Sequence, residues 1–156
     1  MAMNILLLYA TNSGGTQEAS QILSESLSQG GHTVLMKEVA EVDPQDIGKD
    51  DLTILGSCTW DYQGEEGLPH EHFMEVIKKM EGQTRPEKHF AVFALGDSSY
   101  THFCGAVDHL EAFVGKLQGH LILPSLKIDG FYFNHEKNSE LLKGWAQKIA
   151  ASLPVT

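Results

Sequence analysis

Three long apolar runs constrain this chain more than any other feature of it. Asn4–Tyr9 (NILLLY), Asp51–Gly56 (DLTILG) and His89–Leu95 (HFAVFAL) show little of the alternation expected of a half-exposed strand. A strand apolar on successive residues has both faces buried, the pattern of a parallel sheet covered by helices on each side. Between the runs the spacing turns helical. Ala19, Ile22, Leu23, Ser26 and Leu27 share one face of a helix closed by Gly30-Gly31. Phe73, Val76, Ile77 and Met80 form a second stripe, and Ala106, Leu110, Phe113, Val114 and Leu117 a third. Leu141, Leu142, Trp145 and Ile149 complete a last helix. Thr33–Glu38 (TVLMKE) is a shorter, mixed strand, and Asp43-Pro44 marks a turn. His120–Leu123 (HLIL), stopped by Pro124, suits a sheet edge.

Five strands alternating with helices predict an α/β fold: a three-layer, doubly wound, five-stranded parallel sheet, in one domain over residues 1–156. Such sheets bind ligands beyond the C-terminal strand ends, where strand order reverses. The loops after strands one, three and four therefore carry the chemistry.

Charge narrows the partners. With 21 Asp and Glu against 11 Lys and Arg the formal net charge is −10, which argues against nucleic acid and anionic membrane, both polyanions. Two cysteines, Cys58 and Cys104, make no disulfide framework. The apolar run near the N-terminus is too short to span a bilayer and has no basic stretch before it, so it reads as a strand. The expectation is a monomeric cytoplasmic protein.

Loop one, Thr11-Asn12-Ser13-Gly14-Gly15-Thr16, joins a buried strand directly to a helix. Successive N–H groups at a helix N-terminus form a concave anion site, and three hydroxyls can add to it. No Lys or Arg precedes Lys37, so this is not the Gly-Lys-Ser/Thr loop of a nucleoside-triphosphate site. The adjacent glycines do not match GxGxxG either. A single monophosphate held by uncharged donors is what remains, set against an ordinary capped turn.

Loop three runs from Ser57 to Leu68 and carries Trp60 and Tyr62; loop four runs from Gly96 to Gly105 and carries Tyr100. Aromatics on adjacent loops beside a phosphate nest fit a flat ring system with a monophosphate tail, the shape of flavin mononucleotide (FMN). Here the residues reach a known family. The chain resembles the flavodoxins, of the short-chain type, through TNSGGT after NILLLYA, the CTW of loop three, and ALGDSSYTHFCGAVD after strand four. LKIDG and a last helix containing Gly144-Trp145 extend the match over nearly the whole chain, which has no room for the segment that splits the last strand in long-chain members.

The resemblance implies strand order 2-1-3-4-5 and a low-potential one-electron carrier. It assigns Thr11, Asn12, Ser13, Gly14, Gly15 and Thr16 to the FMN phosphate. Trp60, flanked by Thr59, packs on the inner face of the flavin ring and Tyr100 on the outer. Backbone groups around Asp97, Phe103 and Cys104 reach the pyrimidine edge. It also implies basic-faced redox partners, such as a flavodoxin reductase and electron acceptors. The departure lies after Trp60, where many members have Gly whose peptide flips on one-electron reduction. This chain has Asp61. Holding Asp rather than Gly at positive φ costs on the order of 1 kcal/mol, and about 1.4 kcal/mol corresponds to about 59 mV for one electron. The one-electron-reduced state is thus expected to be less stabilised than with Gly, by tens of millivolts, unless Tyr62 or Gly64 holds the flipping peptide.

Other features read blandly. His70 and His72 with Glu66 and Glu71 read as solvated rather than as a metal cluster. Cys104, lacking a CxxC partner, reads as a packed thiol. No Gly-x-Ser-x-Gly elbow occurs. An FMN-dependent quinone or NAD(P)H reductase needs a second substrate site that no residues specify. A phospho-acceptor receiver needs acids ending strand one, where Tyr9-Ala10-Thr11 stand. From Asp61 to Glu75 there are five carboxylates and no Lys or Arg before Lys78, a run expected to edge the flavin rim and steer basic partners.

Overall fold

The computed structural model describes residues 2–11, 14–62, 65–97 and 104–152, with the backbone alone over the described part of 60–66. Strand β1 (Asn4–Ala10) leads to helix α1 (Gly15–Gln29) and β2 (Thr33–Glu38), followed by two single 3₁₀ turns and β3 (Leu52–Cys58). A short hairpin of β4 (Trp60–Tyr62) and β5 (Glu65–Leu68) precedes α2 (Glu71–Lys79) and β6 (His89–Gly96). Helix α3 (Gly105–Lys116), β7 (His120–Leu121), β8 (Leu126–Asp129) and α4 (His135–Ser152) complete the chain.

The main sheet runs β2-β1-β3-β6, with β7 and β8 both pairing the far edge of β6, and every pairing in it is parallel. This is the expected 2-1-3-4-5 order with one change: the fifth position is filled by two short strands in succession. The first stops at Leu121, two residues short of the expected His120–Leu123, and beyond Pro124 the chain resumes along the same neighbour at Leu126. Residues 122–125 alone separate them.

The apolar runs alternate between two cores. Leu6, Leu8, Leu55, Phe90 and Val92 face α2 and α3, where Phe73, Val76, Leu110 and Phe113 are buried. Ile5, Leu7, Ile54, Ala91 and Phe93 face α1 and α4, against Leu23, Leu27, Leu142, Trp145 and Ile149. Each fully buried Leu or Phe contributes roughly 1.5–3 kcal/mol of transfer free energy. Trp145 is core as its stripe implied, and its indole N–H donates to the Pro124 carbonyl. Leu141 is instead 42% exposed, and its place in the buried stripe is taken by Ala146 and by Asn138, only 3% exposed. Two adjacent leucines cannot both face one core on a helix, and packing chose Leu142.

Candidate functional site

The order of the sheet reverses between β1 and β3, and the loops after β1, β3 and β6 leave from adjacent C-terminal ends. The register places Ala10 beside Ser57, Cys58 beside Leu95, and Gly96 beside Asp129.

After β1, the Gly14 N–H donates to Thr11 Oγ1 over 2.9 Å, and Gly14 sits at φ 91° as the residue before α1. A left-handed residue there aims the next amides, those of Gly15 and Thr16, out of the helix end. Among the described residues no side chain caps this helix. Thr16 is 1% exposed, and its Oγ1 is buried with no hydrogen-bond partner among the described residues. Leaving a buried hydroxyl unpaired costs about 1–3 kcal/mol. An uncapped helix start with an orphaned hydroxyl in its first turn is chemistry that an anion completes. The residues present fit a phosphate. Asn12 and Ser13 lie outside the described residues.

The loop after β3 is a hairpin rather than the open loop expected of residues 57–68. Thr59 N–H continues the ladder to the Leu95 carbonyl at 2.9 Å, and His70 N–H donates to Ser57 Oγ at 2.9 Å, so both hairpin ends are tied to the sheet. Trp60 pairs with Leu68 and Tyr62 with Glu65, so Asp61 faces the two residues Glu66 and Gly67. Gly67, at φ 81°, is the left-handed residue of this bulge, whereas Asp61 lies within the strand. Gln63 and Gly64 lie outside the described residues. A Cβ on Gly105 would come 2.5 Å from the Gly67 carbonyl oxygen, so the hairpin rests on the first residue of α3 at a distance only glycine permits.

Loop four is closed at its base. Cys104 precedes α3 at φ 50°, its Sγ is 2.9 Å from where a Gly96 Cβ would stand, and the thiol donates weakly to the carbonyls of Ala94 and Ile128. Burial pushes this thiol up to about 11. It is the packed thiol expected, not a reactive one. Thr59 Oγ1 is buried beside it and makes no hydrogen bond of ordinary geometry there. Asp97 is exposed at the end of β6. Tyr100 and Phe103 lie outside the described residues, so the aromatic pair assigned to a flavin is represented only by the Trp60 backbone.

The histidines resolve differently from either sequence reading. His70 is buried and caps α2, its Nδ1 accepting from the His72 N–H at 3.0 Å. His72 Nδ1 lies 2.8 Å from Glu38 Oε2, across the gap from α2 to the end of β2. Among the described residues no group of three or more His, Cys, Asp or Glu could hold a metal ion, and no helix is long and apolar enough to cross a membrane.

One neighbour of loop one was missed altogether. The turn after β8 brings Tyr132 against Gly14 and Gly15, and nothing local to residues 130–134 signals a contact more than a hundred positions away.

The fold and its three convergent loops define a doubly wound α/β domain with an anion site at the first βα turn. The profile of the family described as flavodoxin matches residues 7–141, and the chain belongs to the flavodoxin family. "Probable flavodoxin 2" of Bacillus subtilis (strain 168) is 38% identical over 126 residues, 80% of this chain and 81% of that one. A short-chain flavodoxin associated with a non-canonical PDU bacterial microcompartment superposes with a TM-score of 0.84 at 23% identity, covering 97% of this chain and 99% of that one. Fusobacterium nucleatum flavodoxin bound to flavin mononucleotide gives 0.83 at 18% identity, covering 97% and 99%. At those identities the two structures establish the fold. Flavodoxins are electron-transfer proteins rather than enzymes.

Proposed function

We propose that this chain binds FMN non-covalently and carries single electrons at low potential between redox partner proteins. The observation that carries the reading is Thr16 Oγ1, buried and, among the described residues, without a partner in the first turn of a helix that no described side chain caps, at the reversal point of the sheet. When bound, FMN supplies the one-electron chemistry. The chain's own residues do the rest. The amides of Gly15 and Thr16, with the hydroxyls of Thr11, Ser13 and Thr16 and the flanking Asn12 and Gly14, hold the phosphate. Trp60 and Tyr100 pack on the ring and exclude water. Thr59, Asp61 and the backbone of Asp97, Phe103 and Cys104 serve its polar edge. Excluding water from an anionic reduced ring disfavours the added charge and lowers its potential.

Partners follow from charge. Glu71 and Glu75 are exposed on α2, Glu38 ends β2 beside them, and Glu41 ends the 3₁₀ turn that follows. A basic-faced flavodoxin reductase or acceptor fits such a rim, and stopped-flow transfer rates to it fall with ionic strength. Salt-independent rates exclude steering. Uptake of one FMN per chain, read from the absorbance spectrum after incubation and gel filtration, tests the binding itself.

A further inference from the structure

Tyr132 stands on a turn whose backbone is held on every side. Gly130 N–H donates to the Gly96 carbonyl at 2.9 Å, and the amides of Phe133 and Asn134 fold back onto the Gly130 carbonyl. Buried Asn138 donates to the carbonyls of Asp129, Gly130 and Phe131 at 3.1, 3.3 and 3.4 Å. Phe131 plugs the turn into the core at 5% exposure, with its ring 5.2 Å from that of Tyr132.

The turn is aimed at loop one. Tyr132 Cε2 lies 3.4 Å from where a Gly15 Cβ would stand, so the ring uses space that Gly15 leaves open. Its Oη lies 3.7 Å from the corresponding point on Gly14, beside the uncapped start of α1. The residue is 56% exposed, so its hydroxyl is open to solvent and to a ligand. In the first turn of α1 Thr16 Oγ1 is buried with no hydrogen-bond partner among the described residues. A buried unpaired hydroxyl and an accessible phenol thus stand beside one helix N-terminus in a chain with no Lys or Arg before position 37.

We propose that Tyr132 is a further binding residue of this site, its phenol donating a hydrogen bond to the phosphate received by the α1 N-terminus. The proposal rests on the FMN reading above and deepens it, since a phenol there recognises the phosphate monoester end and not the flavin ring. It gives the chain a means of preferring FMN over riboflavin without a cation.

Tyr132→Phe keeps the ring and its packing and removes only the donor. Dissociation constants of FMN and riboflavin are measured for the wild-type and variant apoproteins by quenching of flavin fluorescence. One hydrogen bond to a charged acceptor corresponds to about tenfold or more in affinity, so FMN weakens by at least about that factor while riboflavin stays within about twofold. A preference for FMN over riboflavin that is unchanged in the variant, whether both ligands hold or both weaken together, overturns the proposal and leaves Tyr132 a packing residue. A wild-type protein that takes up neither ligand fails earlier and separately, and removes the FMN reading itself.

Discussion

Replacing Thr16 by Val moves two quantities in opposite directions if the orphaned hydroxyl is a ligand. In the protein alone, Oγ1 is buried without a partner in a residue 1% exposed. Exchanging it for a methyl of similar size removes an unpaired buried group whose cost is about 1–3 kcal/mol. The apoprotein should therefore gain about 1 kcal/mol, or about 2–4 °C in Tm for a chain of this size. The same exchange deletes a hydrogen bond to a charged phosphate, worth about 1.5–3 kcal/mol, so FMN should bind about 10- to 150-fold more weakly. Riboflavin affinity should not change. Thr53, whose Oγ1 is also buried and unpartnered but lies within β3, is the control. Thr53→Val should gain similar stability and leave both flavins unaffected. Differential scanning fluorimetry and flavin titration of the two variants suffice. A Thr16→Val protein less stable than wild type, with FMN affinity within twofold, would refute the reasoning.

Four further outcomes follow from particular residues. Arg85 ties residues 44–47 to its own segment, its guanidinium donating to the carbonyls of Ile47, Pro44 and Thr84 and to Gln83 Oε1. Arg85→Ala should cost about 2–3 kcal/mol, discounted for partial exposure, and Arg85→Lys should not rescue it, because an ammonium lacks the planar fork; urea midpoints at constant m decide. Burial raises the Cys104 thiol from its ordinary value of 9 to about 11, so its stabilisation is full below pH 9 and lost as pH rises through about 11. Wild type should lose stability over that window relative to Cys104→Ala, and native Cys104 should resist thiol reagents at pH 8. His70 is shifted the other way, lowered chiefly by burial, so its contribution is present above its ordinary value and lost as pH falls below it. His70→Asn, which still caps α2, should flatten the stability loss between pH 7.5 and 5.5 seen in wild type by chemical denaturation. Asp61→Gly should raise the first reduction potential by tens of millivolts, roughly 40 mV per kcal/mol, and an unchanged potential in a redox titration places the flipping peptide elsewhere.

The sheet was legible because its strands are buried on both faces, and a run as short as NILLLY followed by a Gly-containing turn favours a buried strand over a helix. Loop one was legible because a Gly-containing turn between strand and helix leaves amides that only a ligand or a cap can use, and among the described residues no side chain caps them. Other features depend on what lies across the molecule. The hairpin over residues 60–68 has no apolar alternation to announce it, and its bulge is fixed by the contact between Gly67 and Gly105. Pro124 signals an end, yet the open edge of β6 captures the chain again at Leu126. His70 is an uncommon helix cap, and the sequence reads it as solvated where the structure buries it and shows a backbone hydrogen bond. Tyr132 reaches Gly14 only because α4 packs beside α1 on the same face of the sheet.

A single titration meets the central claim head on. The purified protein, incubated with FMN, freed of excess and reduced stepwise with dithionite under argon, should hold one flavin per chain and accept two electrons in two resolved one-electron steps. NADPH alone should not bleach it. A protein that retains no FMN, or one whose flavin is reduced in one two-electron step directly by NADPH, contradicts the account.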